Sequence, residues 1–546
     1  MNTTGGELLV ACLKQHSVRS IFCVPGESFL GALDALFAQK EKINVFNARH
    51  EAGAANMAES YGKLTGKPGI AFVTRGPGAC HAAVGVHIAF QDSTPMILFV
   101  GNIARGVKDR EAFQEVDFKT FFAPISKWVG EIDEPNRIPE YINRAFNTAI
   151  EGRPGPVVLV IPEDMLTEIS SSKPRPFSPI SRGLFPNSGL DKIKKELAKS
   201  KKPLFIVGGS GWTDKSCENL ENFAKINCIP VATSFRRQDL FNHQNENFVG
   251  SFGTSVSPKL VSRVDESDLI LVVGARLGEM TTQSYTIIKP EANKARKIIH
   301  VHSDPNELNK VFNPDLCFCI SPNEFSDAIA NIKWFDKPVW INWRNRLRNE
   351  FKDDIKPIAG IKKNNLSQIF TFVEKHLPED AIITLDAGNN AAWPQRFLSY
   401  GRPRRQIAST CGSMGYAIPA AVSSALLFPK RKVICCVGDG GFMMSSQEIS
   451  TAVHYGAKPI ILLINNNSYG TIRMHQERDY PGRKIATDLK NPEFILLSKA
   501  LGAEAIRVKS LKDFSNVFPK VLRSEKLTVI EIPISINQLS HRVSLN

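Results

Sequence analysis

The stretch VICCVGDGGFMMSSQEISTAVHYGAKPIILLINNNSYG, residues 433–470, decides the fold that this sequence predicts. Residues 433–437 form an apolar, β-branched run that ends in a glycine-rich turn, which is typical of a buried strand. Apolar residues then recur at helical spacing over residues 442–455, and a second apolar run leads into three asparagines. The stretch therefore predicts a βαβ unit with two parallel strands.

Polar side chains follow both of these predicted strands. Asp439 comes after the first strand and Asn466 after the second, and the carboxyl ends of parallel strands meet at one edge of a sheet, where ligands bind. Glycines beside Asp439 let a phosphate approach the backbone at the start of the helix. Mg²⁺ prefers oxygen ligands, and the side chains of Asp439 and Asn466 and a backbone carbonyl near Ser468 would supply three of them. The stretch predicts a diphosphate and metal cradle. The alternative is that Asp439 caps a helix and the asparagines form a turn.

The composition excludes several classes of protein. The chain has 546 residues, 42% of them hydrophobic and 22% charged, which is enough for about three globular domains. Its net charge of +14 comes from scattered lysines and arginines, so nucleic-acid binding is not expected. Ten cysteines without a CxxC pair indicate a reducing compartment. Because the sequence shows neither a secretory signal pattern nor a long apolar run, we expect a cytoplasmic protein that does not span a membrane.

An earlier part of the chain repeats the pattern of residues 433–470. Residues 69–102 also read as strand, glycine-rich turn, helix and strand, and Val73, Pro95 and Asn102 have the same spacing as Val437, Pro459 and Asn466. Arg75 stands at the place of Asp439, so this copy lacks the metal cradle. We expect two domains of one architecture with different roles.

Two stretches rich in Pro, Gly, Ser or Lys, residues 170–188 and 355–365, are predicted linkers. They divide the chain into three α/β domains with doubly wound parallel sheets, predicted at residues 1–170, 189–345 and 366–535. The central block has strand ends followed by glycines but no GxGxxG motif, so a structural role is expected there and nucleotide binding is the alternative.

The segment around Glu51 introduces a resemblance to a known family. Residues 42–48 predict a strand and Glu51 opens a helix, where the helix dipole by itself favours an acidic residue. The chain resembles the thiamine-diphosphate enzyme superfamily of acetohydroxyacid synthases, 2-oxo acid decarboxylases and related carboligases. The matching motifs are RHEAGAANMAE, GPGACH, FQEVD, CGSMGYAIPAA and GDG…NN, in the family's order over nearly the whole length. The resemblance implies that the first domain binds the cofactor's pyrimidine ring and the third its diphosphate.

The resemblance also implies roles for individual residues. Glu51 matches the glutamate that hydrogen-bonds the pyrimidine and promotes loss of the thiazolium C2 proton, and Met414 matches the apolar residue that keeps the cofactor bent. The other positions matched to thiamine diphosphate and its Mg²⁺ are Gly26, Gly388, Asn389, Asn390, Gly412, Gly438, Asp439, Gly440, Gly441, Asn466, Ser468, Tyr469 and Gly470, with Asp439, Asn466 and Ser468 as metal ligands. Gly26, Phe113 and Gln114 match positions on the substrate side. His81 and His475 are candidates for proton transfer, with a packing or surface role as the alternative.

Some positions depart from the acetohydroxyacid synthase pattern. Met280 stands where these enzymes typically have an arginine for the second oxo acid, and His475 stands at the position of a tryptophan in the acceptor pocket. Residues 249–253 replace their flavin motif, which makes bound FAD doubtful. The adjacent histidine pair of pyruvate decarboxylases is absent from the first block, which counts against simple aldehyde release.

The expected function is a carboligase of acetolactate synthase type, which decarboxylates a small, pyruvate-like 2-oxo acid and transfers the acyl carbanion to an acceptor. One alternative is a decarboxylase, lyase or acyltransferase acting on another 2-oxo or sulfonated acid. A second alternative is a non-catalytic cofactor-binding or regulatory protein, against which Glu51 argues. The resemblance implies a homodimer or homotetramer with active sites at the subunit interface.

Overall fold

The computed structural model describes residues 3–178, 180, 182–291, 296–361, 364–401 and 405–543. It contains three six-stranded sheets, and all neighbouring strands within each of these sheets are parallel. Helices pack on the sheets, whose central strands are mostly buried and whose edge strands are partly exposed. This architecture confirms the predicted α/β class with three doubly wound parallel sheets.

The N-terminal unit, residues 3–170, contains the first sheet. Its elements are β1 (Thr3–Thr4), α1 (Gly5–Gln15), β2 (Ser20–Cys23), α2 (Leu30–Phe37), β3 (Asn44–Asn47), α3 (Glu51–Thr65), β4 (Gly69–Val73), α4 (Pro77–Asp92), β5 (Met96–Asn102), α5 (Phe118–Phe122), β6 (Trp128–Glu131), α6 (Ile138–Ile150), β7 (Pro156–Pro162), α7 (Glu163–Thr167) and β8 (Ile169–Ser170). The strand order is β3-β2-β4-β5-β7-β6, and β1 pairs separately with β8 in an antiparallel ribbon.

The central unit, residues 187–354, contains the second sheet, with strand order β11-β10-β9-β12-β13-β14. Its elements are α8 (Asn187–Lys199), β9 (Pro203–Val207), α9 (Asp214–Ile226), β10 (Val231–Thr233), β11 (Phe248–Ser251), α10 (Pro258–Glu266), β12 (Leu269–Val273), α11 (Glu279–Thr282), β13 (Lys297–His302), β14 (Leu316–Cys319), α12 (Pro322–Ile329) and α13 (Ile341–Asp354). Helix α13 continues past residue 345, the predicted end of this domain, because Trp343 and Leu347 are buried in the central core.

The C-terminal unit, residues 364–543, contains the third sheet, with strand order β16-β15-β17-β18-β20-β19. Its elements are α14 (Leu366–His376), β15 (Ile382–Leu385), α15 (Asn389–Phe397), β16 (Arg405–Ala408), α16 (Ala417–Leu427), β17 (Val433–Gly438), α17 (Asp439–Ser445), α18 (Glu448–His454), β18 (Ile460–Asn465), α19 (Gly470–Asp479), α20 (Phe494–Ala500), β19 (Glu504–Arg507), α21 (Leu511–Arg523) and β20 (Thr528–Pro533).

The first and third sheets share one topology. When the six strands of each sheet are numbered along the chain, both sheets have the strand order 2-1-3-4-6-5. The central sheet instead has the order 3-2-1-4-5-6 in its own strands, with the reversal between β9 and β12. The spacing that relates residues 69–102 to residues 433–470 therefore reflects equivalent βαβ units, β4-α4-β5 and β17-β18 with their intervening helices.

The connection between β17 and β18 differs from the predicted single helix over residues 442–455. It starts earlier, at Asp439, and consists of two helices, α17 and α18, separated at Ser446 and Gln447. Serine side chains compete for backbone hydrogen bonds and weaken a helix interior. The break places Glu448 at the start of α18, where it contacts the N-terminal unit.

The N- and C-terminal units pack directly against each other. Helices α3 and α16 lie side by side, and one hydrophobic cluster contains residues from both units. Polar contacts support this packing: the Ser423 hydroxyl donates to the Met57 carbonyl at 3.0 Å, and the buried Tyr416 hydroxyl bonds Glu59. Within the described residues, no helix is both long and apolar enough to cross a membrane.

Candidate active site

Asp439 is the central polar residue at the carboxyl edge of the third sheet. It begins α17 directly after β17 and is only 2% exposed. Burial raises the pKa of its carboxyl, while hydrogen bonds from Asn491 and from backbone amides lower it again. The Asn491 amide donates to Asp439 Oδ2 at 2.7 Å, and in the described part of the chain no Lys, Arg or His nitrogen lies within 4.0 Å of the carboxylate. A buried carboxylate without a cationic partner suits a divalent cation.

The turn after β18 lies beside Asp439. Asn466 Oδ1 accepts from the Ser468 amide at 3.1 Å, and the Ser468 carbonyl accepts from the Gly470 amide at 2.8 Å. Asn491 also donates to the side chains of Asn465 and Asn467, at 3.3 and 3.2 Å, so it connects Asp439 with this turn. The three expected metal ligands thus lie on two adjoining loops. Asn491, which holds the loops together, lies outside the motifs and carried no signal in the sequence.

A third loop, after β15, adds hydrogen-bond donors to this edge. Gly388 has φ 101°, and the Asn389 amide donates to the Thr471 hydroxyl at 2.8 Å. Asn390 Nδ2 is buried and has no hydrogen-bond partner, and a Cβ at Gly438 would lie 3.0 Å from it. A buried amide donor without an acceptor is costly, so a phosphate oxygen at this position would satisfy it.

Met414 and Tyr469 close the other side of this C-terminal half. A Cβ at Gly440 would lie 2.6 Å from the Tyr469 ring and 3.2 Å from the Met414 methyl group, so only glycine fits between them. Met414 is 36% exposed although it is apolar, and Gly412 before it has φ 73° with open space on its Cβ side. An exposed methionine above a glycine-rich turn offers an apolar surface to a bound ring system.

Asp386 connects the loop after β15 with the glycine-rich turn that contains Met414. Its carboxylate accepts from the Ala387 amide at 2.6 Å and from the Gly415 amide at 3.0 Å, and a Cβ at Gly441 would lie 2.9 Å from it. Arg236 of the central unit donates to the Asp386 carbonyl at 2.9 Å. Burial raises the pKa of Asp386 to about 6. An aspartate that ends an apolar strand is the signal that predicted Asp439, so Asp386 could have been identified from the sequence in the same way.

The N-terminal half of the site lies at the carboxyl edge of the first sheet. Glu51 is the first residue of α3, its side chain is 13% exposed, and its Oε2 lies 2.9 Å from His81 Nδ1 on α4. The His81 side chain is 52% exposed, and its ring centroid lies 4.6 Å from that of His50. Ligand atoms of His50, Glu51 and His81 all lie within 4.8 Å of one another. The carboxylate thus has a titratable neighbour that reaches solvent.

Gly26 and Gln114 complete the N-terminal half. A Cβ at Gly26 would lie 2.5 Å from Thr74, and one at Gly78 would lie 2.8 Å from Thr74 and 3.6 Å from Glu51 Oε1. Gln114 packs on Gly76 with a left-handed backbone (φ 64°), and its Oε1 is buried without a partner. The preceding Phe113 is 74% exposed. These residues surround the Glu51 side of the sheet edge with a buried, unpaired acceptor on Gln114 and an exposed aromatic ring on Phe113.

The candidate ligand-binding side chains of the two halves do not bond one another within the described part of one chain. Glu51 bonds His81, Asp439 bonds Asn491, and among the described residues no hydrogen bond or ion pair links Glu51, His81 or Gln114 to Asp439, Asn466 or Met414. His475 lies on α19, exposed, and no hydrogen bond or ion pair within the described ranges connects it to either half. Met280 lines a cleft at the carboxyl edge of the central sheet, together with Arg237, Arg276, Lys310 and Cys411.

Comparison with known protein families identifies three domains along the chain. Three domain models match the chain: the thiamine pyrophosphate enzyme N-terminal TPP-binding domain over residues 3–121, the central domain over residues 190–329 and the C-terminal TPP-binding domain over residues 386–532.

Curated relatives cover nearly the whole chain. The acetolactate synthase large subunit of Corynebacterium glutamicum is 30% identical over 96% of this chain and 85% of its own length. That of Lactococcus lactis is 30% identical over 98% and 93%, and a probable acetolactate synthase large subunit of Methanocaldococcus jannaschii is 30% identical over 97% and 92%. With its three matching domains and these full-length relatives, the chain belongs to the thiamine pyrophosphate enzyme family and is a thiamine-diphosphate-dependent enzyme of the transferase type.

Proposed function

We propose that this enzyme is a Mg²⁺-dependent carboligase of acetolactate synthase type, which decarboxylates a small 2-oxo acid and transfers the acyl unit to a second substrate. The observation that carries the proposal is the pair of complementary half-sites. One contains a carboxylate with a histidine nitrogen at 2.9 Å, and the other contains a buried carboxylate and an unpaired amide donor. The relatives named acetolactate synthase large subunit support this choice of reaction.

The residues of the C-terminal half would hold the cofactor and its metal. Asp439, Asn466 and the Ser468 carbonyl would bind Mg²⁺, because Asp439 is buried without a cationic partner and all three offer oxygen atoms. Asn390 and the amides of the Gly388 loop would bind the diphosphate. Met414 would support the bent cofactor from its apolar side. These assignments use the Asn390 amide nitrogen, which has no partner among the described residues, and the exposed Met414 side chain.

Bound thiamine diphosphate supplies a nucleophilic carbon and an electron sink for decarboxylation of the 2-oxo acid. Glu51 would exchange a proton with the pyrimidine ring, and His81 would carry protons between Glu51 and solvent, since it contacts the carboxylate and is half exposed. Gln114 Oε1, buried without a partner, would accept a hydrogen bond from the substrate or an intermediate. We propose that His475, which is exposed on α19, lies near the acceptor substrate.

We also propose that each complete site is formed by two copies of the chain. The reason is that, among the described residues, no hydrogen bond or ion pair within one chain links Glu51 to Asp439 or Met414. The Glu51 half of one copy would face the Asp439 half of the other. A homodimer is then the smallest active unit, and a homotetramer would contain two such dimers.

A panel of 2-oxo acids tests the proposed reaction. The purified protein is incubated with thiamine diphosphate, Mg²⁺ and each acid, alone and in pairs, and the products are identified by NMR. We expect CO₂ release with coupled hydroxy-oxo acid products from pyruvate-like donors. If only aldehydes form, the enzyme is a decarboxylase or lyase, and the carboligase proposal is wrong. Formation of an acyl phosphate from a sulfonated donor and added phosphate, with release of sulfite, would instead indicate an acyltransferase.

A further inference from the structure

Glu448 connects the C-terminal unit to the backbone that precedes Glu51. It is the first residue of α18 and is fully buried, with a relative exposure of 0%. Its Oε1 accepts from the Arg49 and His50 amides, both at 3.1 Å, and its Oε2 accepts from the Arg49 amide at 3.2 Å and the Thr451 hydroxyl at 2.7 Å. Arg49 and His50 are the two residues directly before Glu51.

A second contact from the end of the same helix holds the start of this turn. The Tyr455 hydroxyl accepts from the Asn47 amide at 2.9 Å and bonds the Asn47 side chain. The Ala48 amide donates to the Cys23 carbonyl at 2.8 Å within the first sheet. Of the four amides from Asn47 to His50, three therefore donate to side chains of the C-terminal unit. The turn that carries Glu51 depends on α18 for its backbone hydrogen bonds.

The Glu448 carboxylate packs against Gly53 at the start of α3. A Cβ at Gly53 would lie 2.3 Å from Glu448 Oε1 and 2.7 Å from its Cδ, so the carboxylate occupies the space of the missing side chain. Burial raises the pKa of Glu448, and the hydrogen bonds from Thr451, Arg49 and His50 lower it. Within the described residues no side-chain nitrogen of Lys, Arg or His lies within 4.0 Å of this carboxylate, so these hydrogen bonds are its direct compensation.

We propose that Glu448 is a positioning residue for Glu51: by binding the Arg49 and His50 amides, it fixes the first turn of α3 and the orientation of the Glu51 carboxylate. The proposal rests on the proposed role of Glu51. Glu448 also lies on the segment that begins at Asp439, so α17 and α18 run from the Asp439 turn to the side chain that hydrogen-bonds the backbone before Glu51. If each site combines halves from two copies, the Glu448 of one chain positions the Glu51 of one site. The Asp439 of the same chain then belongs to the other site.

Hydrogen exchange of the apoprotein tests the contact without the cofactor. Glu448→Met removes the acceptor oxygens at similar volume, and we expect the Arg49 and His50 amides to exchange at least about tenfold faster by mass spectrometry. Gly53→Ala, which displaces the carboxylate, should have the same effect and keeps the test valid if Glu448→Met does not fold. Glu448→Gln retains one acceptor and should give an intermediate rate.

Ser423→Ala is the matched control, because it removes a hydrogen bond between the same two units away from this turn. Its Arg49 and His50 amides should exchange as in the wild type. Unchanged exchange at these amides in folded Glu448→Met or Gly53→Ala protein would overturn the proposal.

Mixed dimers show which site Glu448 serves. A dimer of one Glu51→Gln chain and one Asp439→Ala chain has one intact site, which uses Glu51 of the Asp439→Ala chain. Glu448→Met on that chain should slow C2 proton exchange of bound thiamine diphosphate at least about tenfold, because Glu51 loses its orientation. On the other chain it should change the rate less than about twofold.

The outcomes separate this inference from the proposed function. An equal effect from both chains, or a larger effect from the chain that supplies Asp439, would show that Glu448 acts on the metal cradle, and the positioning role would be wrong. If the mixed dimer without Glu448→Met already lacks C2 exchange, the shared-site proposal fails, while the amide exchange of the apoprotein still decides whether Glu448 holds the turn.

Discussion

Glu51 is the residue on which the proposed chemistry depends most. The sequence places it in the first turn of a helix, where a helix dipole explains it equally well, and the structure adds His81 at 2.9 Å from its carboxylate. A role of Glu51 in capping the helix does not explain its contact with this exposed imidazole. The contact with His81 favours a role in proton transfer.

Glu51→Gln is expected to retain cofactor affinity within about threefold but to slow C2 proton exchange at least about a hundredfold, since general acid–base catalysis contributes about 10²–10⁴-fold. Exchange is measured by NMR after acid quench of the loaded protein in D₂O. Glu27→Gln, an exposed carboxylate on the same sheet edge that pairs with Arg75, is the control and should exchange normally. A wild-type rate in Glu51→Gln would disprove the assigned role.

Asp386 gives the site a pH dependence with a defined sign. Its pKa is raised by burial from 3.8 to about 6, so the folded protein binds this proton more tightly than the unfolded chain. The stability contributed by Asp386 is therefore present below pH 4 and is lost as the pH rises through 6, by about 3 kcal/mol in total.

Asp386→Asn removes this titration. We expect the melting temperature of the wild type, relative to that of Asp386→Asn, to fall by about 2 °C between pH 4 and pH 7. Differential scanning calorimetry of both proteins across this range measures the change. A constant difference would mean that Asp386 is ionised at the same pH in both states.

At the scale of elements, the β17-α17-α18-β18 unit brings Asp439 to the turn after β18. The parallel pairing of β17 with β18 fixes this proximity, and Asn491 reinforces it from a later loop. The sequence predicts the pairing because both strands are long apolar runs. It does not predict Asn491, because the loop that carries it reaches the site only through tertiary packing.

Asp439→Ala is expected to abolish the Mg²⁺ dependence of thiamine diphosphate binding and to weaken affinity at least about tenfold, because the buried carboxylate is the only charged ligand proposed. Isothermal titration with and without Mg²⁺ measures this. Asn491→Ala should weaken Mg²⁺-dependent binding less, as it orients Asp439 without binding the metal. Asp479→Asn, an exposed carboxylate at the end of α19, should bind normally. Full Mg²⁺-dependent affinity in Asp439→Ala would refute the proposed cradle.

At the scale of the whole molecule, the packing of α3 on α16 joins the N- and C-terminal units of one chain but leaves their half-sites without mutual contacts in the described residues. The same arrangement explains why α18 can support the Glu51 turn from behind. We therefore propose that a second chain brings the opposite half to each sheet edge.

Mixing Glu51→Gln and Asp439→Ala chains tests this sharing. Each homodimer is inactive, whereas each heterodimer has one intact and one doubly substituted site. Random mixing should therefore restore about a quarter of the wild-type C2 exchange, because about half of the dimers are mixed and each has one of two sites. The control is mixing after chemical cross-linking of each homodimer, which should restore none. No recovery in freely exchanging dimers would show that each site is built from one chain.

The sequence by itself determined the three parallel sheets, the repeated βαβ unit and most residues at the two sheet edges, because apolar strands and glycine-rich turns are local patterns. It also placed Asp439 and Asn466 on neighbouring loops, since strand pairing follows from the βαβ connection. It predicted one helix over residues 442–455, where the structure has α17 and α18.

Only the tertiary structure decided how the units support each other. Three sets of hydrogen bonds join residues far apart in sequence. The Arg49 and His50 amides donate to Glu448, Asn491 donates to Asp439, and Arg236 donates to the Asp386 carbonyl. No local pattern encodes them, because each side chain is placed by the packing of whole elements. For the same reason the sequence left His81 with two readings, and the structure placed it against Glu51 while leaving His475 exposed.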